Sequence, residues 1–346
     1  MKHPVKYHFF PHDPEEVLAA LGKEKLLSCL RQMLLIRNFE IRAESAYQQG
    51  KIGGFFHSYM GQEAIQTAAV AVMGQNQWWA TTYRCHALAL LLGAHPNALM
   101  AELYGKATGN AKGRGGSMHF FTDRLLGGYG IVGGQIPIST GAAFSIKYQR
   151  KYPQVGSPIK SDVSVCFLGD GAVAQGTFHE SLNLASLWDL PCIYVIENNQ
   201  WGMGTHVQRA ICVEPMAEKK APSFDMDSYT LDGMDFFNCY AGFAKIFKEV
   251  KNTSRPVLIE VVTERFRGHS ISDPAAYRSK ENLQECMQRD PLKIMLKMLT
   301  NYGLLSDEQY QQMDKEQKDV AVASMEFADE SPWPDPITLE EDVLAP

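Results

Sequence analysis

The sequence predicts an α/β protein in which a parallel sheet is covered by helices on both faces, with helical extensions at its N- and C-terminal ends. The first observation is a short apolar run, Val163 to Leu168, followed by helical periodicity through Phe178, Leu182 and Ala185 and a second apolar run, Cys192 to Ile196. Strand, helix and strand within about 40 residues make a βαβ unit, which implies parallel strands with a crossover helix. A further run, Pro256 to Thr263, is nearly all apolar and reads as another strand of the same sheet. The third observation is compositional: 346 residues, 45% hydrophobic and 21% charged, exclude a disordered or fibrous chain and allow one large domain or two ordinary ones.

The elements follow in order. Residues 1–20 are rich in Pro and His and read as an N-terminal arm. From Leu21 the pattern turns helical, with Leu27, Leu30, Leu34 and Ile41 at spacings of three, four and seven, and Gly50 marks the stop. Eleven of the 28 glycines lie between Gly105 and Gly141, a stretch whose backbone must bend sharply or approach something closely. Residues 151–160, polar with two prolines, read as a surface connection. Thr177 and Glu180 fit a capping box for the crossover helix, and Pro191 ends it. From Asp290 the chain is helical and then acidic, with prolines at 332, 334 and 336. The expected division is an arm over 1–20, one α/β domain with helical extensions over 21–330, and an acidic, Pro-rich tail over 331–346.

Charge and cysteine usage narrow the function. The 33 basic and 39 acidic residues give a net charge of −6 with no basic stripe, so no nucleic-acid surface is expected. The seven cysteines are odd in number and form no Cys-x-x-Cys pair, which predicts reduced thiols and no structural zinc. No run of 18 apolar residues exists, and the first 14 residues hold three His and three Pro where a signal peptide needs an apolar core. The expectation is a cytoplasmic protein without a membrane partner, or an organellar one, in the mitochondrial matrix if the source is eukaryotic.

Two glycine-rich segments compete for a phosphate ligand. Gly128-Tyr-Gly130-Ile-Val-Gly133 matches GxGxxG, but a dinucleotide site needs that pattern directly after a buried strand and opening a helix. Asp123 to Gly127 precedes it, and no acidic residue follows about 20 positions later. The stronger signal is Gly169-Asp-Gly171, then 26 residues, then Asn198-Asn199. Both fall at carboxyl ends of adjoining strands, where ligands bind in open α/β sheets. A carboxylate and an amide oxygen together are hard ligands suited to magnesium. Glycines flanking Asp170 let a diphosphate approach the backbone. Either turn alone would read as an ordinary turn; their joint placement argues for a site.

The same arrangement resembles the thiamine diphosphate fold, and the chain resembles the alpha subunit of the decarboxylating component of 2-oxo acid dehydrogenase complexes. The resemblance runs from about Leu26 to Asp329 and includes His57 in Gly-Phe-Phe-His-Ser, Tyr83-Arg84-Cys-His, Lys112-Gly-Arg-Gly-Gly-Ser-Met-His119, Gly130-Ile-Val-Gly133, and Arg267-Gly-His-Ser-Ile-Ser-Asp-Pro274. Gly-Gly-Ser-Met-His at 115–119 and Trp-Gly-Met-Gly-Thr at 201–205 look like the pyruvate-using type. Trp201 departs from the more usual Tyr, which leaves its backbone carbonyl available.

The resemblance implies a set of roles. Asp170, Asn199 and the carbonyl of Trp201 would hold magnesium. His57, Tyr83, Arg84, Gly130, Val132, Asp170, Gly171, Ala172, Asn199 and His269 would bind thiamine diphosphate, with Arg265 a further candidate. His57, at the substrate end, and His269, at the phosphates and in transfer to a lipoyl group, would be catalytic. The diphosphate needs cations to meet its charge, and an Arg fork at Arg84 matches phosphate geometry. His3, His8 and His12 read as solvated, His95 and His206 as loop residues and His179 as structural. Ser270 occupies the position at which some members are switched off by phosphorylation, and the Ser-rich loop from Gly268 to Arg278 is expected to be mobile until cofactor binds.

The implied reaction is oxidative decarboxylation of pyruvate and reductive acetylation of a lipoyl group on an acyltransferase, en route to acetyl-CoA. The acid that activates the cofactor's pyrimidine comes, in this fold, from a second domain for which 76 residues after His269-Ser270 are too few. A beta subunit, in an alpha2-beta2 heterotetramer, is therefore expected to supply it. The alternatives are an alpha subunit for branched-chain 2-oxo acids or acetoin, a non-catalytic assembly subunit and, more distantly, a nicotinamide oxidoreductase.

Overall fold

The computed structural model describes residues 5–155, 161–341 and 343. In chain order its helices and strands are α1 (Pro14–Gln48), α2 (Glu63–Met73), β1 (Trp78–Thr82), α3 (His86–Leu91), α4 (Pro96–Leu103), β2 (Leu125–Tyr129), α5 (Gln135–Lys151), β3 (Ser164–Gly169), α6 (Gly176–Leu187), β4 (Cys192–Asn198), β5 (Trp201–Gly202), β6 (Thr205–His206), α7 (Val207–Ala210), α8 (Met216–Lys220), β7 (Asp227–Asp232), α9 (Phe236–Thr253), β8 (Val257–Val262), α10 (Lys280–Gln288), α11 (Pro291–Asn301) and α12 (Asp307–Glu330). Six strands form one sheet in the order β2-β1-β3-β4-β8-β7, and every pair is parallel.

Both faces are covered, and the strands show why they lack polar alternation. Val165, Phe167, Ile193 and Val195 pack in one core with Phe39, Ala68 and Phe243 of α1, α2 and α9. Cys166, Leu168, Tyr194 and Ile196 pack in a second core with Ile136 of α5 and Phe178 of α6. The chain leaves β1 towards β2 on one side and returns through α5 to β3 on the other, so a crevice opens at the carboxyl ends of the central strands. No described helix is long and apolar enough to cross a membrane.

Several boundaries differ from the sequence expectation. The first helix starts at Pro14 rather than Leu21, inside the expected arm: Asp13 caps it by accepting from Glu15 N at 2.9 Å, and Pro14 occupies the first turn. Gly22, at φ 69°, bends it. Ile41 is exposed, because the inward face of the helix runs through Leu26, Leu30, Met33 and Glu40, so that Ile41 falls one position round from the buried row. Residues 5–13 lie against the domain, with Phe10 N donating to Thr230 O at 2.8 Å. His12 is not free in solvent: its Nδ1 meets Asn238 Nδ2 at 3.1 Å, and its Nε2 lies 3.5 Å from Asp235.

The capping box at Thr177 and Glu180 is absent. The crossover helix is preceded by Gln175 with no side-chain cap, and it stops at Leu187, before Pro191. A tight turn at Asp170–Ala174 sets the helix start one residue early and leaves Thr177 inside it. The expected surface connection at 151–160 lies outside the described residues from 156 onward. His95 and His206 are caps rather than loop residues, their Nδ1 atoms accepting from Asn97 N and Gln208 N, each at 3.2 Å.

The GxGxxG segment also corrects an expectation. Leu125–Tyr129 is a strand, so the motif does follow one, and α5 opens just after it. The strand was hidden because β2 is an edge strand, only half buried and containing two glycines. Gly128 has no room for a side chain: a Cβ there would sit 2.5 Å from Met118 O and 2.6 Å from Cys85 Sγ.

Candidate active site

The carboxyl ends of β1, β2, β3 and β4 and the segment after β8 surround a cavity of about 700 Å³. His57, Tyr83, Arg84, Gly130, Val132, Asp170, Gly171, Ala172, Asn199, Trp201 and His269 all line it. Gln62, Glu197, Arg265, Asp273 and Tyr277 line it as well.

One corner fits a divalent cation. Asp170 is 2% exposed, and its Oδ2 is buried with no hydrogen-bond partner. Burial raises its pKa to about 6, so the carboxylate is ionised at neutral pH without a protein counterion in contact. Asn199 Nδ2 donates to Gln62 Oε1 at 3.4 Å, which fixes the amide so that Oδ1 faces the other way, towards Trp201 N, also at 3.4 Å. β5 and β6 form a tight hairpin in which Val207 N donates to Gln200 O. The antiparallel alternation therefore turns the N–H and C=O of Trp201 away from its partner His206. A carboxylate, an amide oxygen and a main-chain carbonyl are the donor set a hard cation takes. The Trp201 ring packs beside Tyr277 and His206, at centroid distances of 4.9 Å each, and leaves the carbonyl free of side-chain competition.

The cationic wall comes from Arg84 and Arg265, both buried. Two of the five Arg84 donors are committed to main-chain carbonyls: Nη1 to Ser58 O and Nη2 to His269 O, both at 2.7 Å. The expected phosphate fork is therefore only partly available, and Arg84 also ties the His57 segment to the His269 loop. Arg265 donates to Met203 O at 3.2 Å and Tyr277 Oη at 3.0 Å, and its Nε is buried without a partner. Burial and the neighbouring Arg84 lower its pKa to about 10. Unpartnered cationic nitrogen near unpartnered carboxylate oxygen fits a ligand that carries both an anion and a bound metal.

His57, Tyr83 and His269 form a ring cluster, with centroids 4.3 Å (His57–Tyr83), 5.1 Å (His57–His269) and 5.4 Å (Tyr83–His269) apart. Burial, and then Arg84, push His57 down to about 2 and His269 to about 3, so both imidazoles are neutral. His57 Nδ1 is buried and unpartnered, free to exchange a proton with a ligand. His269 Nδ1 lies 3.1 Å from Arg265 Nη1, which makes that nitrogen an acceptor.

The loop after β8 is knitted together rather than loose. Asp273 Oδ2 accepts from His269 N and Tyr277 Oη, each at 2.6 Å, and Oδ1 accepts from Ala275 N at 2.9 Å. Arg278 Nη1 donates to Arg265 O at 2.7 Å. Ser270 is buried, and its hydroxyl pairs with that of Ser272 at 2.9 Å. His179 is exposed on α6, with Nδ1 3.1 Å from Gln175 O.

Sequence reasoning missed Gln62, Glu197 and Tyr277. Glu197 points into the cavity side of β4, accepting from Tyr59 Oη in a short hydrogen bond and from Gln66 Nε2 at 3.3 Å, and burial raises its pKa to about 7. An acid directly before Asn198-Asn199 was a usable signal. Gln62 and Tyr277 carried none, since their partners come from distant segments.

Comparison with known proteins agrees with this geometry. The family model described as Dehydrogenase E1 component matches residues 31–337. A Rickettsia felis protein named pyruvate dehydrogenase E1 component subunit alpha is 41% identical over 315 residues, covering 90% of this chain and 94% of the relative. One of the same name from Rhizobium meliloti is 39% identical over 330 residues (94% and 92%), and a chloroplastic alpha-3 subunit from Oryza sativa is 38% identical over 329 residues (94% and 77%). With the family model spanning most of its length and these relatives aligned along theirs, the chain belongs to the dehydrogenase E1 component family.

Proposed function

We propose that the chain is the alpha subunit of a pyruvate dehydrogenase, binding thiamine diphosphate and magnesium and acting with a beta subunit to decarboxylate pyruvate and acylate a lipoyl group of an acyltransferase. The observation that carries the reading is the unpartnered Asp170 carboxylate beside Asn199 and below the Arg84 and Arg265 wall, in a chain whose relatives bear that name. The division into an arm over 1–20, one α/β domain with helical extensions over 21–330 and a tail over 331–346 remains part of this proposal, with the arm carrying the first turns of α1 from Pro14.

When bound, thiamine diphosphate supplies a carbanion-stabilising electron sink. The chain's own part is orientation and proton handling. Asp170, Asn199 and the Trp201 carbonyl hold the metal; Gly171 and Ala172 leave the turn after β3 open to the phosphates; Tyr83, Arg84, Arg265 and His269 meet their charge. Gly130 and Val132 border the ring-binding side of the cavity. Neutral His57 exchanges a proton at Nδ1 with the substrate end, and neutral His269 holds the phosphate side. An apolar rim containing Phe55, Ile131, Val132 and Met203 stands exposed at the cavity mouth, which suits closure by a partner chain that completes the site. The setting is a soluble compartment such as the cytoplasm.

Co-expression with the beta subunit from the same source, followed by decarboxylation assays on pyruvate, branched-chain 2-oxo acids and acetoin, tests the reading. Magnesium-dependent turnover of pyruvate by the pair, and none by the single chain, is expected. Preference for another substrate reassigns it within the family, and a pair that fails to bind thiamine diphosphate calorimetrically makes the chain an assembly subunit.

A further inference from the structure

Outside the cavity lining, Glu40 of α1 and His86 at the start of α3 meet with both side chains fully buried. His86 Nδ1 lies 3.0 Å from Glu40 Oε1 and Nε2 lies 2.9 Å from the carbonyl of Ser117. Ser117 O has no proton to give, so Nε2 must donate. Glu40 Oε1 already accepts from Tyr59 N at 3.1 Å. The pair therefore holds two protons between its carboxyl and its imidazole, and the Tyr59 amide on the same oxygen favours carboxylate with imidazolium.

A buried ion pair is a poor way to stabilise a core, since an apolar pair of equal volume does as well or better. What this pair touches suggests another use. The segment Phe55–Tyr59, which carries His57, is gripped from both sides: Glu40 takes Tyr59 N, while His86 holds Ser117, whose hydroxyl bonds to Phe55 O in a short contact. Between these anchors the His86 ring stacks on Phe56, 5.0 Å away at 15°. The next residue after Ser117, Met118, lines the active cavity.

We infer that Glu40 and His86 are a positioning pair that fixes His57 relative to the glycine-rich loop at 113–119, holding both through one doubly donating imidazole. The inference rests on the functional reading of His57 given above. The charged and titratable groups around the pair are few: Arg84, two residues before His86, opposes its protonation, and the neutral His57 and the buried Cys85 thiol lie on adjoining segments. Removing the Glu40 charge would let His86 lose a proton, and a neutral ring donating to a residue-40 amide oxygen would have none left for Ser117 O. The consequence travels to the loop and to His57 without any contact with ligand.

The test uses the full chain labelled with nitrogen-15 histidine, alone and assembled with its beta subunit, as wild type, Glu40→Gln and His86→Gln. In the wild type His86 should carry protons on both ring nitrogens through neutral pH. Glu40→Gln should make His86 neutral, move the His57 ring resonances, and speed amide exchange at 117–120 by about tenfold or more. In the assembled enzyme kcat should fall more than KM rises. A wild-type His86 lacking the Nε2 proton overturns the inference, and needs no variant to fold. So does a Glu40→Gln chain whose melting temperature drops while the His57 resonances and loop exchange stay put. Because the resonances are read without turnover, an inactive wild-type pair would count against the functional reading and leave this readout intact.

Discussion

Gly169 on β3 pairs with Glu197 on β4, and that register brings the turns carrying Asp170 and Asn199 to the same carboxyl edge of the sheet. Carried one step on, the register stands Asn198 level with Asp170, but the Asn198 amide is spent on Glu260 Oε1 at 2.7 Å, and it is Asn199 that lines the cavity. The cation corner is thus a property of strand pairing as much as of residue type.

Asp170→Asn tests that corner. The buried carboxylate costs the apo chain stability, because its pKa of about 6 lies above the ordinary value of 3.8. At neutral pH the variant apo chain should be more stable, by about 3 kcal/mol, in chemical denaturation. The same variant should lose magnesium-dependent thiamine diphosphate binding in calorimetry. Unchanged cofactor affinity would remove Asp170 from the metal site.

His57 predicts a pH effect of definite sign. Its folded-state pKa of about 2 lies below the ordinary 6.5, so above pH 6.5 it contributes no pH dependence. As pH falls below that value the unfolded chain takes up a proton that the folded chain refuses, and stability is lost at up to about 1.4 kcal/mol per pH unit. The denaturation midpoint of His57→Asn, relative to wild type, should rise steadily as pH is lowered from about 6.5 to 4. A constant difference would mean that His57 is not held neutral.

Tyr277→Phe removes one proton from Asp273 and one acceptor from Arg265. The loop Gly268 to Arg278, expected from its composition to be mobile, is held by these bonds, so the variant should be cut there faster by protease. Thiamine diphosphate with magnesium should slow cleavage in the wild type. Equal cutting rates in wild type and variant would show that the Tyr277 hydroxyl does not order the loop.

Glu102 organises the glycine-rich stretch from below. Its carboxylate accepts from the amides of Ala111, Gly113, Gly115 and Gly116 at 2.8, 2.9, 2.7 and 3.2 Å. Glu102→Ala would strand these donors, and at about 1 kcal/mol for each partly buried amide the loss should reach about 3 kcal/mol. A thermal midpoint within a degree or two of wild type would show that water replaces the carboxylate.

Much of the fold was legible because its signals are local. The runs at 163–168, 192–196 and 256–263 became β3, β4 and β8 with boundaries moved by one or two residues. The edge strand β2 escaped notice because half-buried Leu-Leu-Gly-Gly-Tyr has no run or alternation to detect. Helical structure begins ahead of Leu21 because Asp13 and Pro14 cap a short first segment, and the non-helical Gly22 separates it from the long helix that follows. The Thr177 and Glu180 pattern matched a capping box that the Asp170–Ala174 turn pre-empted.

By itself the sequence determined the α/β class, the Gly-Asp-Gly and Asn-Asn turns at two strand ends, and the residue types around them, since apolar runs and turn chemistry are written in neighbouring positions. Only the tertiary structure decided how the polar groups are shared. Glu197 meets Tyr59 across 138 residues, Arg84 meets the His269 carbonyl across 185 and His86 meets Glu40 across 46. A buried polar atom must find its partner wherever the packed chain offers one, and for these groups packing brings the partner from a segment that no local pattern indicates.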